Sequence, residues 1–416
     1  RQYFARLEKQ GIGINLGSYV GATQVRRAVL GDDDRTPTPE QLDSMRALVR
    51  AAMLDGAVGV STALQYPPAP YAKTDELVAL AKEAARYGGS YATHMRSEGD
   101  RISQAIDEAI TIGREADIPV EIWHLKAAGK KNWGRMPEIV AKIDSARRAG
   151  VDIAADTYAY PAWFNSMSAF VPPWALDGGT ARLVERLRDP AARRRIRRDM
   201  LTPSDAWDNE WQEIPGPASV VISVVQNPAL RQYQGKTLAE VAALRKKDAI
   251  ETLLDILAED QAYTYVAVFG MSERDIAVAI EQPWVSIDND SQGTSPEGPL
   301  GQEHPHPRAY GTFPRILRKY VREEKRLSLE EAIRKFTSLP AGRMRVGDRG
   351  VLKVGMWADV VVFDPDSVRD KATFAEPNQL SEGMAWVLVN GVPVIADGRA
   401  TGALPGRVLR GSGAVR

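Results

Sequence analysis

Short apolar runs and longer amphipathic stretches alternate along most of this 416-residue chain. The apolar runs are rich in β-branched residues and predict strands, whereas the longer stretches repeat apolar residues at helical spacing. Such alternation is typical of a parallel sheet covered by helices, and eight strands favour a closed (β/α)8 barrel of the TIM type. The predicted strands are 11–16, 57–61, 90–94, 119–124, 151–157, 219–225, 264–269 and 284–287. The predicted helices are 39–54, 74–87, 100–116, 136–149, 237–258 and 314–324, with Asp100, Ser204 and Thr237 as expected N-caps.

Two stretches depart from this rhythm. Five arginines fall between positions 193 and 198, but acidic residues are interleaved and no aromatic platform accompanies them, which favours a solvated helix face over a nucleic-acid site. This stretch belongs to a predicted insertion near 179–235 that covers a pocket. After Arg349 the chain becomes β-rich, with Asn390-Gly391 at the tip of a hairpin. We therefore predict a barrel over 1–345 and part of a small β-sandwich over 346–416.

The amino-acid composition excludes several classes of function and site. Lysine plus arginine and aspartate plus glutamate number 54 each, so the net charge is zero and nothing favours nucleic acid or an acidic membrane as partner. The chain has no cysteine, which excludes thiolate metal sites and thiol nucleophiles within it. It has no apolar run of about 18 residues. We expect a small-molecule substrate and a cytoplasmic location, and the oligomeric state stays open. Because position 1 lies inside an amphipathic pattern, we also expect the chain to begin within a longer protein.

Two of the four histidines end consecutive apolar runs. His94 ends the predicted strand 90–94, and His124 ends the predicted strand 119–124. Barrels of this kind place their reactive groups at the carboxyl ends of the strands, and imidazole is the commonest metal ligand among side chains. Two histidines in matching positions therefore predict a zinc site, although a pair of hydrogen-bonded core histidines has the same pattern.

Other polar residues stand where strands end. Asp288 and Asp290 follow the strand 284–287, and either carboxylate could move a proton during hydrolysis; Asp290 is the preferred candidate. Lys126 follows His124 by two residues, so strand alternation would point its side chain toward the same end of the barrel. Further candidates for contact with an anionic substrate group are Tyr158 and Arg96, which also follow strands. His304-x-His306 has a metal-binding spacing, but its Gly/Pro-rich surroundings favour a loop feature.

These residues lie in segments that resemble the N-acyl-D-amino-acid deacylases, or D-aminoacylases, of the amidohydrolase superfamily. The resemblance extends from about residue 14 to about residue 406. The segments that carry it are Tyr91-Ala92-Thr93-His94-Met95-Arg96, His124-Leu125-Lys126-Ala127-Ala128-Gly129, Asp156-Thr157-Tyr158, His306-Pro307-Arg308-Ala309-Tyr310-Gly311-Thr312-Phe313-Pro314, Thr337-Ser338-Leu339-Pro340-Ala341 and Gly355-Met356-Trp357-Ala358-Asp359.

The resemblance implies a zinc-dependent hydrolase of N-acyl-D-amino acids, with one or two zinc ions in a TIM-like barrel flanked by a small β-sandwich. His94 and His124 would bind zinc, and Asp290 would be the catalytic aspartate. Lys126 and Tyr158 would contact the substrate carboxylate, and Tyr66 would line the pocket. The family's earlier His-x-His and its bridging metal ligand do not precede His94, so the barrel is expected to lack its first strands and 219–225 to belong to the insertion.

Two other functions stay open from the sequence. A cyclic-amide hydrolase of the dihydroorotase or hydantoinase type would need a lysine at the end of the strand 57–61, and none stands there. A barrel without catalytic activity could serve as a scaffold, although the retained His94, His124 and Asp290 argue against it. The metal content would separate the scaffold from both enzymes.

Overall fold

The structure is a computed structural model and describes residues 1–415. Within these residues the strands are β1 (Val20–Gly21), β2 (Gly59–Ala63), β3 (Ser90–His94), β4 (Val120–Ile122), β5 (Ile153–Thr157), β6 (Ala162–Ser166), β7 (Val220–Ile222), β8 (Tyr265–Phe269), β9 (Val285–Ile287), β10 (Val360–Phe363), β11 (Met384–Val389), β12 (Val392–Ala396) and β13 (Arg399–Ala400). They form three separate sheets.

Helices fill most of the connections between the strands. They are α1 (Gln2–Gln10), α2 (Ala22–Leu30), α3 (Pro39–Leu54), α4 (Thr74–Ala85), α5 (Ile102–Ala116), α6 (Met136–Arg148), α7 (Thr180–Arg188), α8 (Pro190–Leu201), α9 (Glu210–Glu213), α10 (Leu238–Arg245), α11 (Ala249–Glu259), α12 (Glu273–Ile280), α13 (Arg308–Arg315), α14 (Leu329–Phe336) and α15 (Ser338–Arg343). A π-helical segment, Ile316–Glu323, continues α13.

The main sheet is parallel and has the strand order β1-β2-β3-β4-β5-β9. Its strands β3, β4 and β9 are buried along their whole length, as expected for a sheet covered on both faces. The carboxyl ends of neighbouring strands meet at one edge, where Ala63 of β2 pairs with His94 of β3. The predicted α/β alternation is therefore confirmed over this part of the chain.

The predicted barrel strand 264–269 lies in a different sheet, together with the strand 219–225 that was expected in the insertion. The segments predicted as 219–225 and 264–269 form β7 and β8, which pair antiparallel with each other, and β8 also pairs antiparallel with β6. β6 follows β5 after only four residues, so the chain reverses there instead of crossing over through a helix. The parallel sheet consequently passes directly from β5 to β9.

The predicted strand 11–16 was also wrong. This segment makes only isolated bridges, from Ile12 to Pro405 and from Leu16 to Val408. The first strand of the parallel sheet is instead β1, a two-residue strand too short to show periodicity in the sequence. The small antiparallel sheet β10-β11-β12-β13 falls inside the predicted C-terminal unit 346–416. The boundaries of that unit, of 1–345 and of the insertion 179–235 stay predictions.

The helix predictions were right in position and less accurate at the ends. Thr237 caps α10 in a capping box with Glu240, as predicted. The predicted helix 237–258 breaks at Lys246, which takes a left-handed conformation, and a new helix begins after Asp248. Asp100 and Ser204 are not helix caps. The residue before α5 is Arg101, and the hydroxyl of Ser204 accepts a bond from an amide in a bend.

Candidate active site

Two histidines meet at the carboxyl edge of the parallel sheet. β3 ends at His94, and β4 runs beside it with Ile122 opposite Thr93, so His124 follows close by. The two side chains are 8% and 7% exposed, and Nδ1 of His94 lies 3.1 Å from Nε2 of His124. The structure thus brings together the two histidines that were predicted to bind a metal.

The outer nitrogen of each imidazole is held by an oxygen atom. Nε2 of His94 lies 2.8 Å from Oε1 of Gln65, and Nδ1 of His124 lies 2.8 Å from Oε1 of Glu98. An oxygen at one ring nitrogen sets the tautomer and leaves the other nitrogen free to bind a metal. The two free nitrogens are the ones that face each other. Burial lowers the pKa of His94 to about 3, which keeps this imidazole in its neutral, metal-binding form.

Glu98 is a charged residue of the site, and it was not predicted from the sequence. Its Oε1 accepts a hydrogen bond from Nζ of Lys126 at 2.7 Å, and this Nζ also lies 2.7 Å from Nδ1 of His124. Burial by itself raises the pKa of Glu98, but the charge of Lys126 and the two histidines outweigh it, so the pKa lies well below its ordinary value. A carboxylate in the loop after β3 is an unremarkable sequence feature, and no pattern in the sequence singled it out.

The donor set fits a zinc ion. One ligand atom from each of His94, Glu98 and His124 lies within 4.8 Å of the others, and all three residues are buried. Imidazole nitrogens and carboxylate oxygens are the ligands that zinc accepts in proteins. Carboxylate oxygens also suit the position behind a metal-binding histidine, which is where Glu98 lies.

Asp290 lies at the same end of the sheet, past β9, in a left-handed conformation with φ of 40°. It lines the same cavity as both histidines. Its Oδ2 lies 2.8 Å from Nη1 of Arg308, a buried residue whose Nε has no hydrogen-bond partner within residues 1–415. Arg308 was quoted in the sequence analysis only as part of a motif, because 18 positions separate it from Asp290.

Two more aspartates, Asp156 and Asp288, lie at this end of the sheet. Asp156, at β5, accepts a hydrogen bond from the amide of His124. Burial, and after it the charge of the neighbouring Asp290, raise the pKa of Asp288 to about 6. Burial and the charge of Asp288 also raise the pKa of Asp156 well above its ordinary value. Asp290 differs from both because it lines the cavity that contains His94 and Lys126, whereas Asp156 and Asp288 border a neighbouring depression.

The two predicted pocket tyrosines line the cavity as well. The ring centroid of Tyr66 lies 5.0 Å from that of His94. The ring of Tyr158 lies 4.5 Å from the guanidinium carbon of Arg308, and 5.7 Å from Nζ of Lys126. Burial raises the pKa of both tyrosines well above the ordinary value, so their hydroxyls stay protonated and act as hydrogen-bond donors.

Arg96 is the one predicted site residue that the structure does not bring to this cavity. Its guanidinium forms a two-point ion pair with Glu108 and donates to the backbone carbonyls of Pro70 and Ala72. These bonds direct the side chain toward helix α5, on the outer side of the loop after β3. The prediction that Arg96 contacts substrate needs a correction, because its donors are already engaged in holding that loop.

The two remaining sequence features are structural in the described part of the chain. His306 and His304 bond the carbonyls of Ala162 and Phe374 with their Nε2 atoms, which agrees with a loop feature. The arginine-rich stretch forms α8, where Arg193 and Arg197 pair with acidic residues of the neighbouring helix α11. This agrees with a helix face, and not with a nucleic-acid site.

The cavity that His94, His124, Lys126 and Asp290 line has a volume of about 570 Å³ and extends to the segment between β6 and β7. Asn165 of β6 and the acidic residues Asp208, Glu210 and Glu213 form another wall of the cavity that Lys126 and Tyr158 line. Glu210 is 1% exposed, and burial raises its pKa to about 8 although the side chains of Asn165 and Trp163 act to lower it. The predicted insertion 179–235 was expected to cover a pocket, but none of these four lining residues was predicted from the sequence.

The chain is similar in sequence and in fold to known deacylases. The chain is 34% identical over 408 residues to an N-acyl-D-glutamate deacylase of Alcaligenes xylosoxydans xylosoxydans. This alignment covers 98% of this chain and 72% of the relative. A crystal structure of D-aminoacylase superposes with a TM-score of 0.79 at 32% identity, over 98% of this chain and 74% of that one. The N-acyl-D-glutamate deacylase from Bordetella bronchiseptica, complexed with zinc and a phosphonate mimic of the tetrahedral intermediate, superposes with a TM-score of 0.78 at 33% identity, with the same coverage.

These matches confirm the predicted resemblance and the predicted α/β fold with a small β domain. The sequence model of one family, described as the amidohydrolase family, matches residues 10–395. That match spans the parallel sheet, the histidine pair and the cavity. The chain belongs to the amidohydrolase family.

Proposed function

We propose that this protein is a zinc-dependent hydrolase that cleaves N-acyl-D-amino acids into a carboxylate and a free D-amino acid. The observation that carries the proposal is the pair of buried histidines whose inner nitrogens face each other while Gln65 and Glu98 hold their outer nitrogens. The names of the similar proteins, which are deacylases of N-acyl-D-amino acids, support the substrate class.

His94 and His124 would hold zinc, with Glu98 as the group that orients His124. When bound, zinc polarises a substrate carbonyl and lowers the pKa of water to about 7. The number of zinc ions, one or two, is part of the proposal. A second histidine pair is not found near this site within residues 1–415, where the remaining histidines are His304 and His306.

Asp290 would act as the proton carrier of the reaction. Its carboxylate takes a proton from the attacking water as the oxygen adds to the acyl carbon, and returns it to the amide nitrogen as the C–N bond breaks. The ion pair with Arg308 holds the carboxylate in place. The products are then a carboxylate and a free amine, with no further reactant needed.

Lys126 and Tyr158 would bind the α-carboxylate of the substrate. The ammonium group of Lys126 and the protonated hydroxyl of Tyr158 are donors on one side of the cavity. Arg308 stacks on Tyr158 and has a free Nε donor, so it adds positive charge to the same side. Tyr66 would line the cavity beside His94.

No observation favours the cyclic-amide or scaffold alternatives. β2 ends at Ala63, and the lysine that lines the cavity, Lys126, is paired with Glu98. A buried group of ionisable side chains costs stability, so a scaffold would have no use for it. A small-molecule substrate and a cytoplasmic location stay part of the proposal. No helix in residues 1–415 combines the length and apolar character that a membrane crossing requires.

The test is hydrolysis of N-acetyl-D-methionine and N-acetyl-L-methionine by the purified protein, after chelation of metal and after addition of zinc. We expect free D-methionine and acetate only with zinc present, and much slower release from the L-enantiomer. A folded protein that binds zinc and releases no amine from N-acetyl-D-methionine or from any other N-acetyl-D-amino acid would overturn the proposal. Hydrolysis of hydantoin or dihydrouracil in its place would favour the cyclic-amide alternative.

A further inference from the structure

The cavity has an acidic wall, which we define as Glu210, Glu213 and Asn165. Glu210 and Glu213 begin and end the short helix α9, and Asn165 lies on β6. All three are nearly buried, with exposed fractions of 1%, 8% and 6%, and all three line the cavity that contains the histidine pair. This wall is separate from the groups proposed to bind zinc and the α-carboxylate.

Two hydrogen-bond acceptors of the acidic wall lack a donor. Oε1 of Glu210 accepts from Nε2 of Gln65 at 2.7 Å and from Nδ2 of Asn165 at 2.6 Å. Oε2 of Glu210 and Oδ1 of Asn165 are buried and have no partner in the part of the chain that the structure describes. Buried polar groups are nearly always bonded in folded proteins, so two lone acceptors beside a cavity indicate that a ligand supplies the donors.

The charge balance of the cavity points to the same kind of ligand. Three of its carboxylates are neutralised: Glu98 by Lys126, Asp290 by Arg308, and Asp208 by Arg101 at 2.9 Å. Within residues 1–415, no lysine, arginine or histidine nitrogen lies within 4.0 Å of the carboxylate of Glu210 or Glu213. Burial raises the pKa of both carboxyl groups, so an entering cation would favour their ionised form and pair with it, whereas an anion would find no cation at this wall to pair with.

On the basis of the proposed function, we propose that the preferred substrates are N-acyl derivatives of basic D-amino acids, whose cationic side chain is received by Glu210, Glu213 and Asn165. An ammonium carries three donors and a guanidinium five, with no acceptor, which matches the lone acceptors of this wall once a cation holds its carboxyl groups in the ionised form. Acidic side chains are disfavoured because a carboxylate brings no donor and forms no ion pair with this wall. This preference is opposite in charge to the glutamate in the names of similar deacylases.

The test is kcat/KM for the N-acetyl derivatives of D-lysine, D-arginine, D-methionine, D-aspartate and D-glutamate, with the acetyl group constant so that only the side chain varies. We expect kcat/KM for the basic substrates to exceed that for the acidic ones about a hundredfold or more, because only a basic side chain forms ion pairs with the acidic wall. In the double variant Glu210→Gln with Glu213→Gln, that ratio falls by at least about tenfold. The matched control Glu115→Gln, on the exposed face of α5, leaves the ratio unchanged.

The outcomes separate this inference from the proposed function. If none of the five substrates is hydrolysed by the zinc-loaded protein, the proposed function fails. If N-acetyl-D-methionine is hydrolysed and the basic substrates show no advantage over the acidic ones, the inference is overturned and the function stands. Should the double variant not fold, Glu213→Gln alone provides the test, because the carboxylate of Glu213 makes no hydrogen bond within residues 1–415. A ratio that does not fall in Glu213→Gln would then contradict the inference.

Discussion

The two walls of the cavity are built in opposite ways. On the zinc-facing wall, His94 and His124 each have an oxygen partner, and Glu98 and Lys126 neutralise each other. On the acidic wall, Glu210 keeps a lone buried acceptor and no cation stands beside it within residues 1–415. The first wall comes from the ends of parallel strands and the loops that follow them, and the second comes from β6 and the segment between β6 and β7.

This difference separates chemistry from selectivity. Groups that hold a metal must be oriented before substrate arrives, so they are placed on a rigid sheet and fully bonded. Groups that receive a variable part of the substrate need free bonding capacity, which the acidic wall has. Connecting segments on a scaffold commonly carry such binding roles. Gln65 joins the two walls, since it contacts both His94 and Glu210.

The largest expected effect comes from removing the two histidines of the zinc-facing wall. The double variant His94→Ala with His124→Ala should bind no zinc and lose turnover by about a thousandfold or more, because metal activation is worth several kcal/mol and 1.4 kcal/mol is tenfold in rate. Elemental analysis and kcat measure the two losses. Zinc retained at the original stoichiometry would show that the metal is bound elsewhere.

The replacement of Asp290 should separate proton transfer from metal binding. Asp290→Asn keeps the size of the side chain and removes its basicity, so turnover should fall about a hundredfold or more while zinc stays bound. The exposed Asp33→Asn is a matched control that should change neither quantity. Unchanged kcat in Asp290→Asn would remove this carboxylate from the mechanism.

Gln65 offers a way to test whether the two walls are coupled. Gln65→Leu removes the oxygen behind Nε2 of His94, and loss of such a partner typically costs 10–100-fold in metal affinity. A competition titration with a zinc-binding dye measures it. Because the same change frees Oε1 of Glu210 from one donor, the kcat/KM ratio of basic to acidic substrates should also shift. A zinc affinity equal to that of the unaltered protein would show that Gln65 does not orient His94.

The smallest expected effect is a pH dependence of stability that arises from Glu210. Burial raises the pKa of Glu210 to about 8 in the folded protein, compared with about 4.5 ordinarily. Between these values the folded state binds more protons than the unfolded state, so this group lowers stability as pH rises from about 4.5 to about 8. Glu210→Gln should therefore melt a few degrees higher relative to the unaltered protein at pH 8.5 than at pH 5. The same relative Tm at both pH values would contradict the pKa shift, and Glu115→Gln is again the control.

The sequence predicted the elements that have strong periodicity or end signals. β3 was predicted with its observed bounds, α3 likewise, and Thr237 was predicted as an N-cap from its residue type and position. The strand prediction failed for residues 11–16, which pair only at isolated bridges with the distant C-terminal segment. Residues 264–269 form a strand as predicted, but in an antiparallel sheet, which their alternation suits as well as a barrel.

By itself, the sequence determined that this is an α/β protein with His94 and His124 at the ends of neighbouring strands, because strand periodicity and residue chemistry are local properties of the chain. Only the tertiary structure decided which groups complete the site. Gln65 and Glu210 are 145 positions apart, and Lys126 and Glu98 are 28 apart. Arg96 shows the converse, because its partner Glu108 turns it away from the cavity. Such contacts depend on how strands and loops pack in three dimensions, and no local pattern in the chain encodes a distance between them.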